Sequence, residues 1–231
     1  MSLIDDGKLR AAYTAASLVQ HGMAVGLGSG TTSALVVTRL GERVRDEGLK
    51  FVGVPTSIAT AELATQFRIP LRDLDDFESL DIDLDGADEV DPKFRLIKGR
   101  GGALLREKII ATCSKRRVIV VTPEKRVERL GLHAPVPVEI SPVGARHVEA
   151  RLTAMGIRTT LRRDPSGAPY RTDGGNYIVD GLFPDGLDDP EATDQALRRI
   201  TGVFETGIFL GLCDVLIVGY ADRVESLVAP S

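Results

Sequence analysis

Apolar side chains recur at two alternating periods through the first half of the chain. Over residues 8–20 they fall at helical spacing (Leu9, Ala12, Tyr13, Ala16, Val19), and Gly22 closes the run. Residues 23–27 form a short unbroken apolar stretch, which predicts a strand. The alternation continues with predicted helices over 31–47, 57–67 and 103–114, Ser57 capping the second. Strands are predicted over 51–55, 69–71, 80–84, 94–97 and 118–121, the last fully apolar. Apolar strands separated by helices predict a Rossmann-like α/β unit, a parallel sheet with helices on both faces.

The rhythm breaks near Pro135. Residues 134–142, APVPVEISP, hold three prolines and open a different unit. Helices over 145–155 and 190–200 follow, with strands over 157–161 and 176–179 and a Gly/Pro/Asp-rich turn between the strands. That pattern predicts a smaller α+β domain of the ferredoxin-like kind, inserted at 133–203. Residues 214–219, DVLIVG, return to the buried-strand pattern, so 1–132 and 204–231 are assigned to the first unit. The most apolar run, 208–220, is read as buried strand material; it contains Asp214 and is too short to span a bilayer.

Composition narrows the partners. A chain of 231 residues can bury a substantial core without disulfide or metal staples. With 29 basic and 33 acidic residues the net charge is -4, so the overall field does not draw nucleic acid. Cys113 and Cys213 sit in apolar surroundings and form no CxxC pair, the pattern of buried reduced thiols. His21, His133 and His147 lack zinc-ligand spacing and are read as surface or packing residues. Asp5 and Asp6 interrupt the start, and no basic segment leads into an apolar one. The expectation is a soluble, cytoplasmic protein with no membrane contact.

Candidate chemistry concentrates in three places. Residues 26–33, GLGSGTTS, join a predicted strand to a predicted helix. Glycines permit a tight turn and close approach to a ligand. A helix N-terminus offers N–H groups and partial positive charge to an anion, and Ser29, Thr31 and Thr32 add hydroxyls. No Lys follows the glycines, and Thr31 takes the last glycine place of GxGxxG, so neither a Walker A loop nor a dinucleotide fingerprint fits. A phosphate site and a simple capped turn both remain open.

Downstream, Asp81, Asp83 and Asp85 alternate with apolar residues, which puts three carboxylates on one strand face, each about 7 Å from the next. A face so charged predicts water rather than dry core. An edge strand with one solvated side accounts for Asp81 and Asp83, and less well for the turn Gly86-Ala87-Asp88-Glu89 that follows. The run opens like a calcium-binding EF-hand loop, but its twelfth position is Pro92 where a bidentate Glu is needed. Lys98 ends a predicted strand before Gly99-Arg100-Gly101-Gly102. Glu107 lies on the next helix, one turn from Ala103, Leu104, Ile110 and Ala111. A carboxyl in that setting is expected to have its pKa raised toward the range of a general base. The alternative is a helix-surface glutamate paired with Arg106 or Lys108.

Three segments, GLGSGTTS, DGADEVDP and KGRGGALLREKI, resemble the signature segments of type A ribose-5-phosphate isomerases. The likeness continues through PVPVEISP, GGNYIVDGLF and GVFETGIFLGLCDVLIVG, in order along nearly the whole chain. The resemblance implies interconversion of ribose 5-phosphate and ribulose 5-phosphate in the pentose phosphate pathway, with no metal and no organic cofactor. It implies that Glu107 is the proton acceptor. Asp85 and Asp88 would border the sugar and assist ring opening, and Lys98 would face the reacting oxygens. Ser29, Gly30, Thr31 and Thr32 would bind substrate near the phosphate, with Gly86, Ala87, Gly99, Arg100, Gly101, Lys125 and Lys8 as further contacts. A homodimer or homotetramer is also implied. Ser29 stands where Thr is frequent in the family, and Arg100 where Gly is frequent; a positive φ at Arg100 would be strained.

Two rival readings share parts of this pattern. A sugar-phosphate-sensing regulatory domain could keep the fold and the phosphate loop, but no helix-turn-helix segment precedes the first predicted helix and the chain is acidic. A related acyl or CoA transferase would use a Glu as nucleophile, and its cofactor would need a larger groove.

Overall fold

A computed structural model describes residues 3–229. The helices are α1 (Leu3–Ser17), α2 (Thr31–Asp46), α3 (Ile58–Gln66), α4 (Leu104–Thr112), α5 (Ala145–Ala154) and α6 (Pro190–Arg198). The strands are β1 (Ala24–Leu27), β2 (Val52–Pro55), β3 (Ile82–Gly86), β4 (Glu89–Val90), β5 (Leu96–Ile97), β6 (Arg117–Val121) and β7 (Val136–Ile140). They continue with β8 (Arg158–Leu161), β9 (Tyr177–Leu182), β10 (Val203–Thr206), β11 (Ile208–Phe209), β12 (Val215–Gly219) and β13 (Val224–Val228). The chain packs as two compact units. The first takes the described residues through Ala87, then Arg106–Arg126 and those from Gly211 onward; the second takes Asp88–Leu105 and Val127–Leu210. The insert expected at 133–203 falls wholly within the second unit, which also takes in 88–105, 127–132 and 204–210. Among the described residues no helix is long and apolar enough to cross a membrane.

The first unit is the expected α/β sheet. Its six strands run β13-β12-β6-β3-β1-β2, parallel throughout except for the antiparallel pair β12–β13. Ala11, Ala12, Ala15 and Ala16 of α1, with Val36, Val37 and Leu40 of α2, are buried against Val25, Leu27, Ile82, Leu84, Val118 and Ile217. Small side chains let α1 come close: a Cβ on Gly7 would meet the Gly219 carbonyl oxygen at 2.5 Å. Ala24 alternates with Val25 and so faces the other way. There it packs with Val54, Leu80 and Ile110 of α4.

That second face corrects one expectation. The alternation of Asp81, Asp83 and Asp85 holds, but β3 lies between β1 and β6 rather than at an edge, and Asp83 is 1% exposed. The cover is α4: a Cβ on Gly26 would meet Asp83 Oδ1 at 2.6 Å and Ile110 Cγ2 at 2.7 Å. Two further expectations also change. Residues 69–71 form no strand, only a single bridge from Leu71 to Gly53. Cys113 is half-buried, while Cys213 is buried as expected. The apolar run 208–220 does supply buried strands, β11 and β12, which belong to different sheets.

The second unit carries the ferredoxin-like arrangement. Its antiparallel sheet runs β10-β7-β9-β8, with α5 and α6 as the two crossovers. Val136, Val138, Ile140, Val148, Leu152, Val179 and Leu197 form its core. A smaller antiparallel sheet, β11-β5-β4, completes it. The proline-rich segment 134–142 lies within this unit, after 88–105 and 127–133, and contains the strand β7. Pro137 has no N–H to give the ladder; its carbonyl accepts from Gly207 N at 2.7 Å, and the Gly207 carbonyl takes its donor from Lys98 N at 2.9 Å.

Candidate active site

In the first unit the chain leaves β1 for β2 on one side and returns to form β3 on the other. Sheets of this kind receive ligands beyond the carboxyl ends of the strands that flank such a reversal. The glycine-hydroxyl loop leaves β1 there, and Asp85-Gly86-Ala87 leaves β3.

A buried carboxylate shapes the loop. Asp85 is 1% exposed. Its Oδ1 accepts from Ser29 N (3.1 Å), the Ser33 hydroxyl (2.9 Å) and Gly86 N (2.7 Å). Gly28 N donates to the Leu84 carbonyl at 3.0 Å, and a Cβ on Gly28 would strike the Asp85 carboxylate. Gly30, at φ 91°, caps α2 without a side-chain bond. Intrahelical bonding starts with Ala34 N to the Gly30 carbonyl at 2.9 Å. The N–H groups of Thr31 and Thr32 therefore leave the first turn without intrahelical acceptors, the arrangement that receives anions.

Hydroxyls line the same edge. Ser29 Oγ lies 2.7 Å from Thr56 Oγ1 and donates to Ser57 Oγ at 2.8 Å. Thr56 Oγ1 donates to the Leu27 carbonyl at 3.0 Å, and Thr60 Oγ1 to the Gly28 carbonyl at 2.9 Å. Ser57 caps α3 as expected, accepting from Thr60 N. The termini of α2 and α3 are thus tied together through Ser29.

The remaining predicted residues of this unit fall as follows. Gly86 stands beside Thr32 and Ser33: a Cβ on it would lie 3.9 Å from Thr32 Cβ and 3.8 Å from Ser33 Oγ. Ala87 is half-buried next to it. Lys125 ends a short helical turn, Pro123–Lys125, just past the carboxyl end of β6, and is half-buried. Lys8 is half-buried on α1 next to Gly7, which touches the carboxyl end of β12 at Gly219. Glu107 lies in the first turn of α4 and is 4% exposed. Leu80, just before β3, exchanges backbone bonds with Cys113 and Lys115, so α4 runs against the strands. Glu107, one turn ahead of Ile110, is on the carboxyl-edge side of that contact.

In the second unit Asp88, Lys98 and the glycine loop form one local structure. Asp88 N donates to the Ile97 carbonyl at 2.8 Å, and Asp88 Oδ2 accepts from Arg100 N at 2.9 Å. Lys98 is 4% exposed, with Nζ 5.5 Å from the Phe209 ring centre. A Cβ on Gly207 would meet the Lys98 carbonyl oxygen, so the close approach that holds Lys98 requires glycine. Gly99 and Gly102 have φ values of 103° and 84°, whereas the only non-glycine residues with positive φ are Arg68 and Phe94 among the described residues. The strain foreseen for Arg100 is therefore absent.

Other members of the acidic run serve the fold. Glu89 is buried and accepts from Gly131 N, His133 N and Ala134 N at 2.5–2.7 Å. Asp91 organises the β4–β5 turn through Lys93 N and Arg95. Asp81 accepts from Ala24 N at 2.9 Å and Lys115 Nζ at 3.0 Å; these bonds hold its carboxyl below the usual aspartate range, the backbone donor contributing most. Sequence reasoning missed Thr56, Ser57 and Thr60 as partners of Ser29. The Pro55-Thr56-Ser57 turn after a predicted strand was the available signal.

A doubly wound α/β sheet with a helix terminus and buried carboxylates at its switch point is the arrangement in which the class of α/β sugar-phosphate and nucleotide enzymes receives anionic small molecules. The family model of ribose 5-phosphate isomerase A (phosphoriboisomerase A) matches residues 52–223. A ribose-5-phosphate isomerase A of Thermomicrobium roseum is 47% identical, over 95% of this chain and 92% of its own. The solved ribose 5-phosphate isomerase A of Methanocaldococcus jannaschii is 39% identical and covers 97% of this chain and 99% of its own, at a TM-score of 0.92. A D-ribose-5-phosphate isomerase solved in complex with phospho-erythronic acid is 37% identical and covers 99% of this chain and all of its own, at a TM-score of 0.94. The chain belongs to the ribose 5-phosphate isomerase A family and is an isomerase.

Proposed function

We propose that the chain interconverts D-ribose 5-phosphate and D-ribulose 5-phosphate through an enediolate, with Glu107 as the base. The observation that carries this reading is a buried carboxyl in the first turn of α4, on the strand-end side of its contact with the sheet, in a chain of this family. The phosphate is assigned to the N–H groups of Gly30, Thr31 and Thr32 and the hydroxyls of Ser29, Thr31 and Thr32, with Lys8 and Lys125 adding positive charge. It is remote from the reacting carbons, so its binding energy can position them. The relative solved with phospho-erythronic acid supports an acidic sugar phosphate as the ligand type.

The chemistry needs no external oxidant or reductant. Asp85 and Asp88 are assigned to ring opening and hydroxyl proton traffic. Glu107 removes the proton on C2 of the open aldose, and the electron pair moves through the new C1–C2 double bond onto O1. Lys98 stabilises the charge developing on oxygen. The O2 proton is transferred toward O1, C2 becomes the carbonyl, and Glu107 returns its proton to C1. Gly86, Ala87, Gly99, Arg100 and Gly101 are assigned to substrate contacts along this path.

The test is Glu107→Gln assayed with ribose 5-phosphate. Turnover should fall by at least about 10²-fold with KM little changed, because the base acts in the transition state more than in binding. In heavy water the wild-type enzyme should place deuterium on the carbons it interconverts. Near-normal turnover in the variant removes Glu107 from this role. Absence of any ribose 5-phosphate turnover in the wild type removes the reaction itself.

A further inference from the structure

The loop Gly99–Gly102 is held by groups that none of the site assignments includes. Arg162 follows β8 directly, and its N–H continues the ladder to the Ile178 carbonyl at 2.8 Å. Its Nη1 donates to two successive loop carbonyls, those of Gly99 and Arg100, each at 3.0 Å. The other edge of the guanidinium grips Asp180 on β9 through Nε–Oδ2 at 2.9 Å and Nη2–Oδ1 at 2.5 Å. Both side chains are mostly buried, 15% and 19% exposed. Tyr170 adds a third hold. Its hydroxyl donates to the Gly101 carbonyl at 3.3 Å, and its ring lies 5.9 Å from the Arg162 guanidinium carbon. Gly102 is what admits the tyrosine, since a Cβ there would strike its hydroxyl.

The planar trans peptide turns this grip into an orientation. A carbonyl and the N–H of the next residue point to opposite sides of the chain. Fixing the Gly99 and Arg100 carbonyls on Arg162 aims the N–H groups of Arg100 and Gly101 the other way. The first of these meets the Asp88 carboxylate there. A cation on the carbonyl oxygen also polarises the peptide and strengthens its N–H as a donor. An arginine performs this where a lysine does not, because one planar fork must reach two carbonyls and a carboxylate at once.

We infer that Arg162, oriented by Asp180 and supported by Tyr170, is a positioning residue for the isomerisation. It sets the Arg100 and Gly101 peptides, and through Arg100 the Asp88 carboxylate. The inference rests on the assignment of Asp88 and this loop to the proposed reaction. Arg162 acts from behind the loop and is not itself a catalytic residue.

The experiment compares Arg162→Ala, Arg162→Lys and the milder Asp180→Asn in the full chain. Each is followed by steady-state kinetics, thermal melting and amide hydrogen exchange at Arg100 and Gly101. Arg162→Ala should lower kcat by about 10- to 100-fold with KM shifted by no more than about threefold, the scale of a misplaced catalytic loop. Arg162→Lys should remain low, and added guanidinium ion should restore part of the turnover in Arg162→Ala only. Exchange at Arg100 should quicken in the same variant. A folded Arg162→Ala with lowered Tm but unchanged kcat makes the group merely structural and overturns the inference, as does full activity in Arg162→Lys. If Arg162→Ala does not fold, Asp180→Asn decides the matter: a fall in kcat without a matching rise in KM supports the clamp, and unchanged kcat overturns it. Quickened exchange in a protein whose wild type leaves ribose 5-phosphate untouched upholds the clamp and sinks the proposed reaction.

Discussion

The two glycine loops, 26–33 and 98–102, both run from a strand into a helix, and the fold grips them by opposite poles. A carboxylate holds the first: Asp85 accepts from the Ser29 N–H and the Ser33 hydroxyl. A guanidinium holds the second: Arg162 donates to the Gly99 and Arg100 carbonyls. The difference follows from what each loop must leave available. The first ends in a helix of sixteen residues, whose first-turn N–H groups remain for an anion even after Ser29 is used. The second leads into the nine-residue α4, and turning its carbonyls away exposes loop N–H groups on the opposite side. One loop is braced through a donor that can be spared, the other through its carbonyls, with the Arg100 N–H turned to Asp88.

Removing the brace of the first loop is the harshest way to break the comparison. Asp85→Ala leaves the Ser29 N–H, the Ser33 hydroxyl and the Gly86 N–H without their shared acceptor in a buried site. Charge-assisted bonds of this kind are worth about 1.5–3 kcal/mol each when lost without replacement. The expected result is a fall in kcat/KM of at least about 10²-fold together with a lower Tm. Asp85→Asn, which can still offer Oδ1, should recover part of the Tm and less of the activity. Equal activity in Asp85→Ala and wild type would show that the loop holds its shape without the carboxylate.

A gentler contrast compares glycines. Gly28→Ala drives a methyl group into the Asp85 carboxylate, whereas a Cβ on Gly101 meets nothing within 4 Å and Gly101 lies outside the positive-φ region. Gly28→Ala should cost about 1–3 kcal/mol of stability, the scale of an overpacked site. Gly101→Ala should stay within about 0.5 kcal/mol, as an unhindered surface change does. Chemical denaturation of the two variants measures the gap. Equal midpoints would mean that the Gly28 backbone yields where the contacts say it cannot.

Much of the first loop was legible in the sequence, because a strand, a glycine run and a helix follow one another within about twenty residues and the chemistry is local. Its hydroxyl partners were less so: Thr56 and Thr60 reach Ser29 and Gly28 only because β2 pairs with β1. The grip on the second loop was not legible at all. Arg162 and Asp180 lie more than sixty residues downstream of it, and only the pairing of β8 with β9 brings them together. The same limit explains Asp83. Periodicity placed it correctly on one face of β3, but whether that face meets water depends on α4, a helix whose position the strand pattern does not encode. Pro137 shows the converse: a residue that reads as a strand breaker sits in a strand because its neighbour across the ladder, Gly207, finds another donor in Lys98.

The smallest effect sharpens the comparison along a single strand. Asp81 shares the face of Asp85 but stands just before the amino end of β3, bonded to Ala24 N and Lys115. Its folded pKa lies below the ordinary aspartate value of 3.8, chiefly through the Ala24 N–H and then through Lys115. A depressed carboxyl contributes stability that is full above the unfolded value and is lost as pH falls through the folded one. Asp81→Asn should therefore lower Tm modestly at pH 7, and the gap to wild type should close as pH drops from about 5 to 3. Turnover at pH 7 should be unchanged, since the residue is at the end of the strand opposite the loops. A gap that stayed constant down to pH 3 would mean that the asparagine disturbs packing rather than charge. A loss of turnover comparable to that of Asp85→Asn would erase the distinction between the two ends of β3.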